Sequence, residues 1–376
     1  MLAELGSVTQ KNLRNLTSKL EAEGLEAALI VWESNIFYLT GLLKPSGSYL
    51  LILKGEEPKL LVPALDYWRV SDLVRGFEVI PYASYQLPGV DINVLTRKLH
   101  EYIVDELSSR NVRKVGIDLS YITSLASKVE SRARERGIEV KDIGNLIADM
   151  RSIKSNEEVS LMRRALEITE EALWRGLEVL KPGIKECEVA AEIEYVIKSK
   201  GAEGLAFDTI VASGPNASYP HAIPSTKEVR EGEAVVIDVG AKFCGYCADM
   251  TRTVVAGSPP PEVKKAIEAV NEAVLNAIDK VADGVKAEEV DEAARSTLRK
   301  YGLDKYFIHS TGHGVGIEVH EKPRLGKGSN EVVKEGMVIT IEPGVYLHKR
   351  YGVRIENMIL VKKNCGEVLN KKPNTF

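Results

Sequence analysis

The stretch AVVIDVGAKFCGYCADMTRTVV, residues 234–255, places two acids in segments that otherwise have the composition of buried strands. Asp238 ends one apolar run, and Asp249 opens the next. Gly240 and Gly245 lie between them and suit a turn, so antiparallel pairing would bring both carboxylates to one face of a hairpin. A lone acid at a strand end is more often a turn cap or a surface charge, so this pair has to be judged with its neighbours.

Two more acids occur in similar sequence nearer the C-terminus. Glu342 follows an apolar run, and Glu356 ends another, with a loop around residues 348–351 between them. A hairpin there would place the two glutamates side by side. Arg354 is two residues from Glu356 and shares its face of the strand. We expect it to pair with that carboxylate, the alternative being a plain surface ion pair.

Histidines are concentrated near these segments. His313 lies in Ser-Thr-Gly-His-Gly-Val-Gly, residues 310–316, where the glycines are expected to let a metal or a substrate backbone approach the imidazole closely. A phosphate-binding loop is disfavoured because no helix follows in phase. Three more histidines lie near the same segments and are expected in the active site with it: His221, His309 and His320.

The four acids predict a cationic partner. Buried carboxylates repel one another and lose hydration, so they stay ionised together only beside a strong positive charge. Two divalent metal ions would provide that charge and would also activate a water as a nucleophile. Four carboxylates and one imidazole form a hard, oxygen-rich site, which suits manganese or cobalt at least as well as zinc, with iron a further alternative.

Composition narrows the classes of protein. The chain has 376 residues, enough for two domains, and its 50 basic and 54 acidic side chains give a net charge of −4. This balance offers no footprint for nucleic acid or an anionic membrane. No secretory signal or spanning segment is visible, and four cysteines are too few for a disulfide framework, so a cytoplasmic protein is expected. Cys244 and Cys247 lack a second cysteine pair and are predicted to be small buried thiols rather than a zinc or redox motif.

The pattern of hydrophobic residues divides the chain at a charged hinge, residues 149–156. Before it, residues 1–150 alternate helix and strand and predict an α/β domain. After it, residues 151–376 combine helices with strand-rich segments. The helices are predicted at 10–24, 94–110, 121–137, 157–180, 187–201, 261–281 and 287–302, and the strands of the first domain at 27–32, 49–54, 60–62, 77–80 and 114–118.

Read together, these motifs resemble the pita-bread metallopeptidases, the family of methionine aminopeptidase, aminopeptidase P and prolidase. The first domain resembles the smaller α/β domain of the proline-specific branch through Asn-Ile-Phe-Tyr-Leu-Thr-Gly, residues 35–41. Methionine aminopeptidases generally lack that domain, and creatinase lacks the carboxylate set. The matching stretches of the second domain are 207–222, 236–253, 307–323, 338–346 and 352–356.

The resemblance implies an α/β N-terminal domain followed by an α+β pita-bread catalytic domain with two metal ions. The implied ligands are Asp249 and Glu356, which would bridge the ions, Asp238 on one ion, and His313 and Glu342 on the other or a similar division. Glu342 is also the expected proton shuttle.

The remaining site residues follow from the same resemblance. His320 and His221 are expected to stabilise the tetrahedral intermediate, and His309 and Arg354 to bind substrate. Arg324 occupies the position where prolidases place a carboxylate-binding arginine, although a solvated loop arginine is the alternative.

The implied substrate is a small peptide with proline at its second position. Arg324 favours an Xaa-Pro dipeptidase, with an Xaa-Pro aminopeptidase acting on longer peptides as the alternative. A non-catalytic binding protein that keeps the fold is the remote alternative. The resemblance also implies a homodimer in which the N-terminal domain of one subunit covers the pocket of the other.

Overall fold

A computed structural model describes residues 2–87 and 92–371 of the chain. Residue contacts divide the chain into two units, Met1–Arg151 and Ser152–Phe376. Within the described stretches, no helix combines the length and the apolar character needed to cross a membrane.

The first unit is built on a mixed sheet with the strand order β4-β3-β2-β1-β5-β6. The central strand β1 is buried throughout, pairs antiparallel with β2 and parallel with β5, and so is apolar at every position. The strands are β1 (Ala27–Ile30), β2 (Tyr49–Leu53), β3 (Lys59–Pro63), β4 (Glu78–Tyr82), β5 (Lys114–Ile117) and β6 (Glu139–Asp142).

The helices of this unit are confirmed where they were predicted, but their ends differ. Residues 94–98 lie before the helix because Leu95 pairs with β4 through two backbone hydrogen bonds. Tyr121 also precedes its helix; it stacks on Trp32, and the Thr123 side chain caps the helix that follows. The helices are α1 (Leu2–Ala22), α2 (Glu33–Thr40), α3 (Tyr67–Leu73), α4 (Leu99–Ser109), α5 (Ser124–Glu135) and α6 (Gly144–Ser152).

Helix α2 contains most of the 35–41 motif. Asn35 donates a hydrogen bond to Asp118 at 2.8 Å and accepts one from Arg151 at 2.9 Å, and all three side chains are buried. The motif ties α2 to the ends of β5 and α6. It therefore serves the architecture of its own unit.

The predicted hinge at 149–156 is wrong in extent. Helix α6 continues to Ser152 because Arg151 is buried and bonded to Asn35, and the next helix begins at Asn156. A capping box starts that helix, in which the Ser155 side chain accepts from the Glu158 amide and the Glu158 carboxylate accepts from the Ser155 amide. Residues 153–155 alone separate the two helices.

Antiparallel strands form the framework of the second unit. The strand orders are β12-β9-β8, β14-β13-β15-β18-β19, β11-β10-β7 and β16-β17. The strands are β7 (Gly204–Leu205), β8 (Ile210–Ser213), β9 (Ala234–Val239), β10 (Ala241–Phe243), β11 (Tyr246–Cys247), β12 (Met250–Val255), β13 (Gly312–Gly314), β14 (Glu321–Leu325), β15 (Val338–Ile341), β16 (Gly344–Leu347), β17 (Tyr351–Arg354), β18 (Asn357–Val361) and β19 (Gly366–Val368).

Helices cover these strands through stripes of small and β-branched residues. Helix α9 presents buried alanines and valines, among them Ala266, Val270 and Ala273, to a core that includes Ile339 and Val353. Burial of that face contributes to the hydrophobic stabilisation of the unit. The helices are α7 (Asn156–Val179), α8 (Glu186–Ser199), α9 (Pro261–Ile278) and α10 (Ala287–Lys300), with a short 3₁₀ turn at Gly214–Ser218.

Candidate metal centre

Asp238 and Asp249 lie on the predicted hairpin. Strands β9 and β12 pair antiparallel with Asp238 opposite Thr251, and Asp249 directly precedes β12. The small hairpin β10–β11 fills the segment between them and turns at Cys244 and Gly245, whose φ angles are +47° and +80°. The predicted turn is confirmed at Gly245, whereas Gly240 lies between β9 and β10.

Glu342 and Glu356 lie on a second hairpin that is longer than predicted. Strands β15 and β18 pair with Ile341 opposite Asn357, and β16 and β17 pair with Gly344 opposite Arg354. The two ladders keep one register, so Glu342 and Glu356 face each other in the short gap between them. The prediction that a hairpin sets these two acids side by side is confirmed.

His313 joins the two hairpins. It lies in β13, beside β15, and its Nδ1 donates to the Gly314 carbonyl at 3.0 Å, so Nε2 is the ring nitrogen available to the acids. That Nε2 lies 3.3 Å from Glu342 Oε1 and 3.6 Å from Asp249 Oδ2. Ligand atoms of Asp249, His313 and Glu356 lie within 4.8 Å of one another.

The acids of this cluster carry strongly shifted pKa values. Burial, followed by the charge of Glu356, raises the pKa of Asp249 well above its ordinary value. Burial, followed by the charges of Glu342 and Asp238, raises the pKa of Glu356 to about 8. Burial also raises the pKa of Asp238. Without a cation the site therefore favours the protonated forms of these three acids.

Glu342 and His313 shift each other in the opposite sense. Burial raises the pKa of Glu342, but the hydrogen bond and the charge of His313 outweigh it and lower the pKa. Burial lowers the pKa of His313, but the hydrogen bond and the charge of Glu342 outweigh it and raise the pKa. Glu342 is thus the acid of the cluster whose ionised form the surroundings favour.

Two orphaned oxygens show that the donor set fits a metal. Asp238 Oδ1 and Glu356 Oε1 are buried and have no hydrogen-bond partner among the described residues. A buried acceptor without a donor costs free energy unless a cation binds it. Carboxylate oxygens and a neutral imidazole nitrogen are ligands of divalent ions such as manganese, cobalt and zinc.

The sequence predicted a pair between Arg354 and Glu356, and that prediction is wrong. Its Nη2 donates to Asp238 Oδ2 at 2.7 Å, and the two side chains are 4% and 13% exposed. It reaches Glu356 only through Thr251, which accepts from Arg354 Nε and donates to Glu356 at 2.7 Å. Packing of one hairpin on the other, which strand spacing does not reveal, decides this partner.

Tyr346 is a further member of the site that was not predicted from the sequence. Its hydroxyl accepts from Arg354 Nη1 at 2.8 Å and lies 2.9 Å from His309 Nε2. His309 Nδ1 donates to a carbonyl, and burial lowers its pKa, so its Nε2 accepts from the tyrosine. Alternation along the strand from Glu342 would have placed Tyr346 on the ligand face.

The glycines around His313 have a different role from the one expected. A Cβ at Gly312 would lie 1.9 Å from the Thr340 carbonyl oxygen, and one at Gly314 would lie 2.0 Å from the Lys322 carbonyl oxygen. A Cβ at Gly316 would lie 2.6 Å from the Glu321 carboxylate. The glycines therefore let β13 pack closely between its neighbours, and protein atoms rather than substrate fill the space beside them.

The other predicted residues lie on accessible segments. His320 and His221 are exposed, and the His320 ring lies 4.3 Å, centroid to centroid, from that of His313. Arg324 is exposed and pairs directly across from His313 in the β13–β14 ladder, so both side chains project from the same face.

Known families and proteins resemble both parts of the chain. The model of metallopeptidase family M24 matches residues 160–363, and that of the creatinase/prolidase N-terminal domain matches residues 12–153. An Xaa-Pro dipeptidase of Pyrococcus horikoshii is 37% identical over 97% of this chain and 98% of its own. The crystal structure of the prolidase from that organism matches with a TM-score of 0.84 at 36% identity, covering 97% of this chain and 99% of the other.

An X-Pro aminopeptidase structure from Thermotoga maritima is also similar, with a TM-score of 0.85 at 30% identity and coverage of 96% of this chain and 98% of the other. These likenesses confirm the predicted fold class, an α/β N-terminal domain followed by an α+β pita-bread domain.

Proposed function

Because the chain belongs to metallopeptidase family M24, we propose that it hydrolyses the peptide bond before proline, with Xaa-Pro dipeptides as its main substrates. The observation that carries this proposal is the convergence of Asp249, His313 and Glu356, with their ligand atoms within 4.8 Å of one another. A similar protein that shares the fold and is 37% identical is named an Xaa-Pro dipeptidase.

In our proposal residues 151–376 form the catalytic domain and hold two divalent ions. Asp238, Asp249, His313, Glu342 and Glu356 would hold these ions. The orphaned oxygens of Asp238 and Glu356 support this assignment. When bound, the ions lower the pKa of a water and polarise the scissile carbonyl.

The side chains of the chain supply the proton transfers and the hydrogen bonds. Glu342 takes the proton of the attacking water and delivers it to the leaving imide nitrogen. His320 and His221 donate to the oxyanion of the tetrahedral intermediate. His309 and Arg354 line the substrate side, where Tyr346 holds them together.

Manganese or cobalt is the proposed native metal, with zinc or iron as alternatives, because oxygen donors outnumber nitrogen in the set. Elemental analysis of protein purified without added metal, by mass spectrometry, tests the choice. We expect close to two ions per chain.

An assay with manganese tests the reaction. We expect rapid release of the first residue from a Leu-Pro dipeptide and slow release from an Arg-Pro-Pro tripeptide. Glu342→Gln should abolish turnover, and elemental analysis serves as the control for its metal content. Full activity of metal-free protein, or of a metal-loaded Glu342 variant, would contradict the mechanism.

Efficient cleavage of the tripeptide with little cleavage of the dipeptide would favour the second candidate, an Xaa-Pro aminopeptidase. The similarity to the X-Pro aminopeptidase of Thermotoga maritima supports this second candidate.

We further propose a homodimer in which residues 1–150 of one subunit cover the pocket of the other. Exposed apolar side chains in the first unit support contact with a second chain: Leu65, Trp68 and Leu73 are 90%, 58% and 56% exposed. Light scattering after size exclusion tests it. The four free cysteines support a reducing location, the cytoplasm.

A further inference from the structure

Glu186 is a buried acid that the metal centre does not use. It opens helix α8 and is fully buried. A buried carboxylate is costly unless donors satisfy it, so its partners show what it does.

Those partners belong to both ends of one segment, residues 213–225. At the first end, Glu186 accepts from the Ser213 amide at 2.7 Å and from the Ser213 hydroxyl at 2.8 Å. At the other end, it accepts from the Ser225 amide at 3.2 Å and from the Ser225 hydroxyl at 2.6 Å. The Asn216 side chain donates to both oxygens, at 3.1 and 3.0 Å.

The segment between these ends leads along the metal centre. It begins where β8 ends, and β8 pairs Ile210 with Asp238. The Pro220 carbonyl accepts from Arg354 Nη1 at 3.2 Å, and the Ser218 hydroxyl accepts from the Lys349 amide at 3.1 Å. His221 follows Pro220 directly and is exposed.

We propose that Glu186 is a positioning residue for His221. Its carboxylate holds together the two ends of the 213–225 segment and so fixes the position of His221 beside the metal centre. The inference rests on the proposed role of His221 in catalysis. Each oxygen accepts from a main-chain amide, a hydroxyl and an amide side chain. Glutamine would place its NH₂ group against some of these donors, so the two ends of the segment would no longer be held together.

A double-mutant cycle tests the proposal. Glu186→Gln should lower kcat by about 10- to 100-fold with little change in KM, because removing a single oxyanion donor outright costs roughly 100- to 1000-fold. His221→Ala should lower kcat at least as far. The double variant should match His221→Ala, since the second loss acts through the first. Glu186→Asp keeps both acceptor oxygens and should recover part of kcat.

Hydrogen exchange gives a readout besides activity. Peptides covering residues 213–225 should exchange faster in Glu186→Gln, with metal content unchanged. Glu158→Gln is the matched control, because Glu158 is buried and accepts from the Ser155 amide and from the Tyr246 hydroxyl. It should lower the Tm without affecting kcat or exchange in the segment.

The outcomes distinguish a failure of the positioning role of Glu186 from a failure of the proposed catalytic role of His221. Unchanged exchange in the segment, or a kcat loss that multiplies in the double variant, would overturn the positioning role. Faster exchange in Glu186→Gln with full kcat in His221→Ala would instead overturn the catalytic role of His221 and leave the anchoring of the segment standing.

Discussion

At the scale of single residues, the site is defined by groups that the protein itself leaves incompletely satisfied. Most buried polar atoms in proteins find a partner, yet one oxygen each of Asp238 and Glu356 has none within residues 2–87 and 92–371. Beside them, Arg354 donates hydrogen bonds to Tyr346 and to Asp238. In our proposal the orphaned oxygens mark where an ion binds, and these hydrogen-bonded groups fix the geometry around it.

Arg324 decides the preference between dipeptide and longer peptide in our proposal. It projects from the same face as His313 and is exposed, so its guanidinium can clamp the free carboxylate of an Xaa-Pro dipeptide. Arg324→Met should raise KM for Leu-Pro by about 10- to 100-fold, which corresponds to losing roughly 1.5–3 kcal/mol from a charge-assisted hydrogen bond.

The dipeptide amide Leu-Pro-NH₂ is the matched control substrate, since it lacks the carboxylate. Its turnover should be equal in the wild-type enzyme and in Arg324→Met. An equal loss on both substrates would show that the arginine supports the fold of β14 rather than binding the substrate.

At the scale of elements, strand β13 packs so closely against its neighbours that a side chain at Gly312 or Gly314 would clash with their backbone. Gly314→Ala would set a Cβ 2.0 Å from the Lys322 carbonyl oxygen, so β13 and β14 must separate. We expect a loss of about 2–3 kcal/mol of stability, as for other overpacking changes, together with weaker metal binding. Thermal unfolding with and without manganese measures both.

Gly6→Ala is the control for that substitution. Gly6 lies in α1, and nothing lies within 4 Å of an added Cβ. This change should leave the Tm unchanged or raise it slightly, because alanine favours helix more than glycine does. An unchanged Tm in Gly314→Ala would contradict the close packing of β13.

The elements also show what the sequence could predict. Local pairing was predictable: alternation and turn residues indicated both acid-bearing hairpins, and the structure confirms them. Contacts between the hairpins could not be predicted, because strand spacing gives the face of the strand on which Arg354 lies but not its partner, Asp238. Helix α2 was not predicted from the sequence, because Asn35 to Thr40 are all buried and leave no periodic polar face to recognise.

At the scale of the whole molecule, the metal centre joins segments that are far apart in the sequence, from Asp238 to Glu356. Metal-free protein must hold these acids together without a cation, and their pKa values report the cost. For Glu356 the pKa rises from 4.5 to about 8 in the folded state. The folded protein then retains a proton that the unfolded chain releases between those values.

The free energy of unfolding of the metal-free protein should therefore fall as the pH rises from about 5 to about 8. Saturating manganese should raise the Tm most at the upper end of that range, since the ion replaces the proton. Scanning calorimetry of chelator-treated protein at several pH values, with Glu356→Gln as the control, measures this. A pH dependence that is unchanged in Glu356→Gln would contradict the assignment.

The single register of the hairpin that carries Glu342 and Glu356 also limits how such a molecule can diversify. Successive side chains of a strand point to opposite sides, so one residue inserted between Glu342 and Leu347 slips the pairing and turns acids away from their neighbours. Extra residues beyond Leu347, around the tip, leave that alignment intact. Length variation among descendants of this chain should accordingly accumulate at the tip and be purged from the arms.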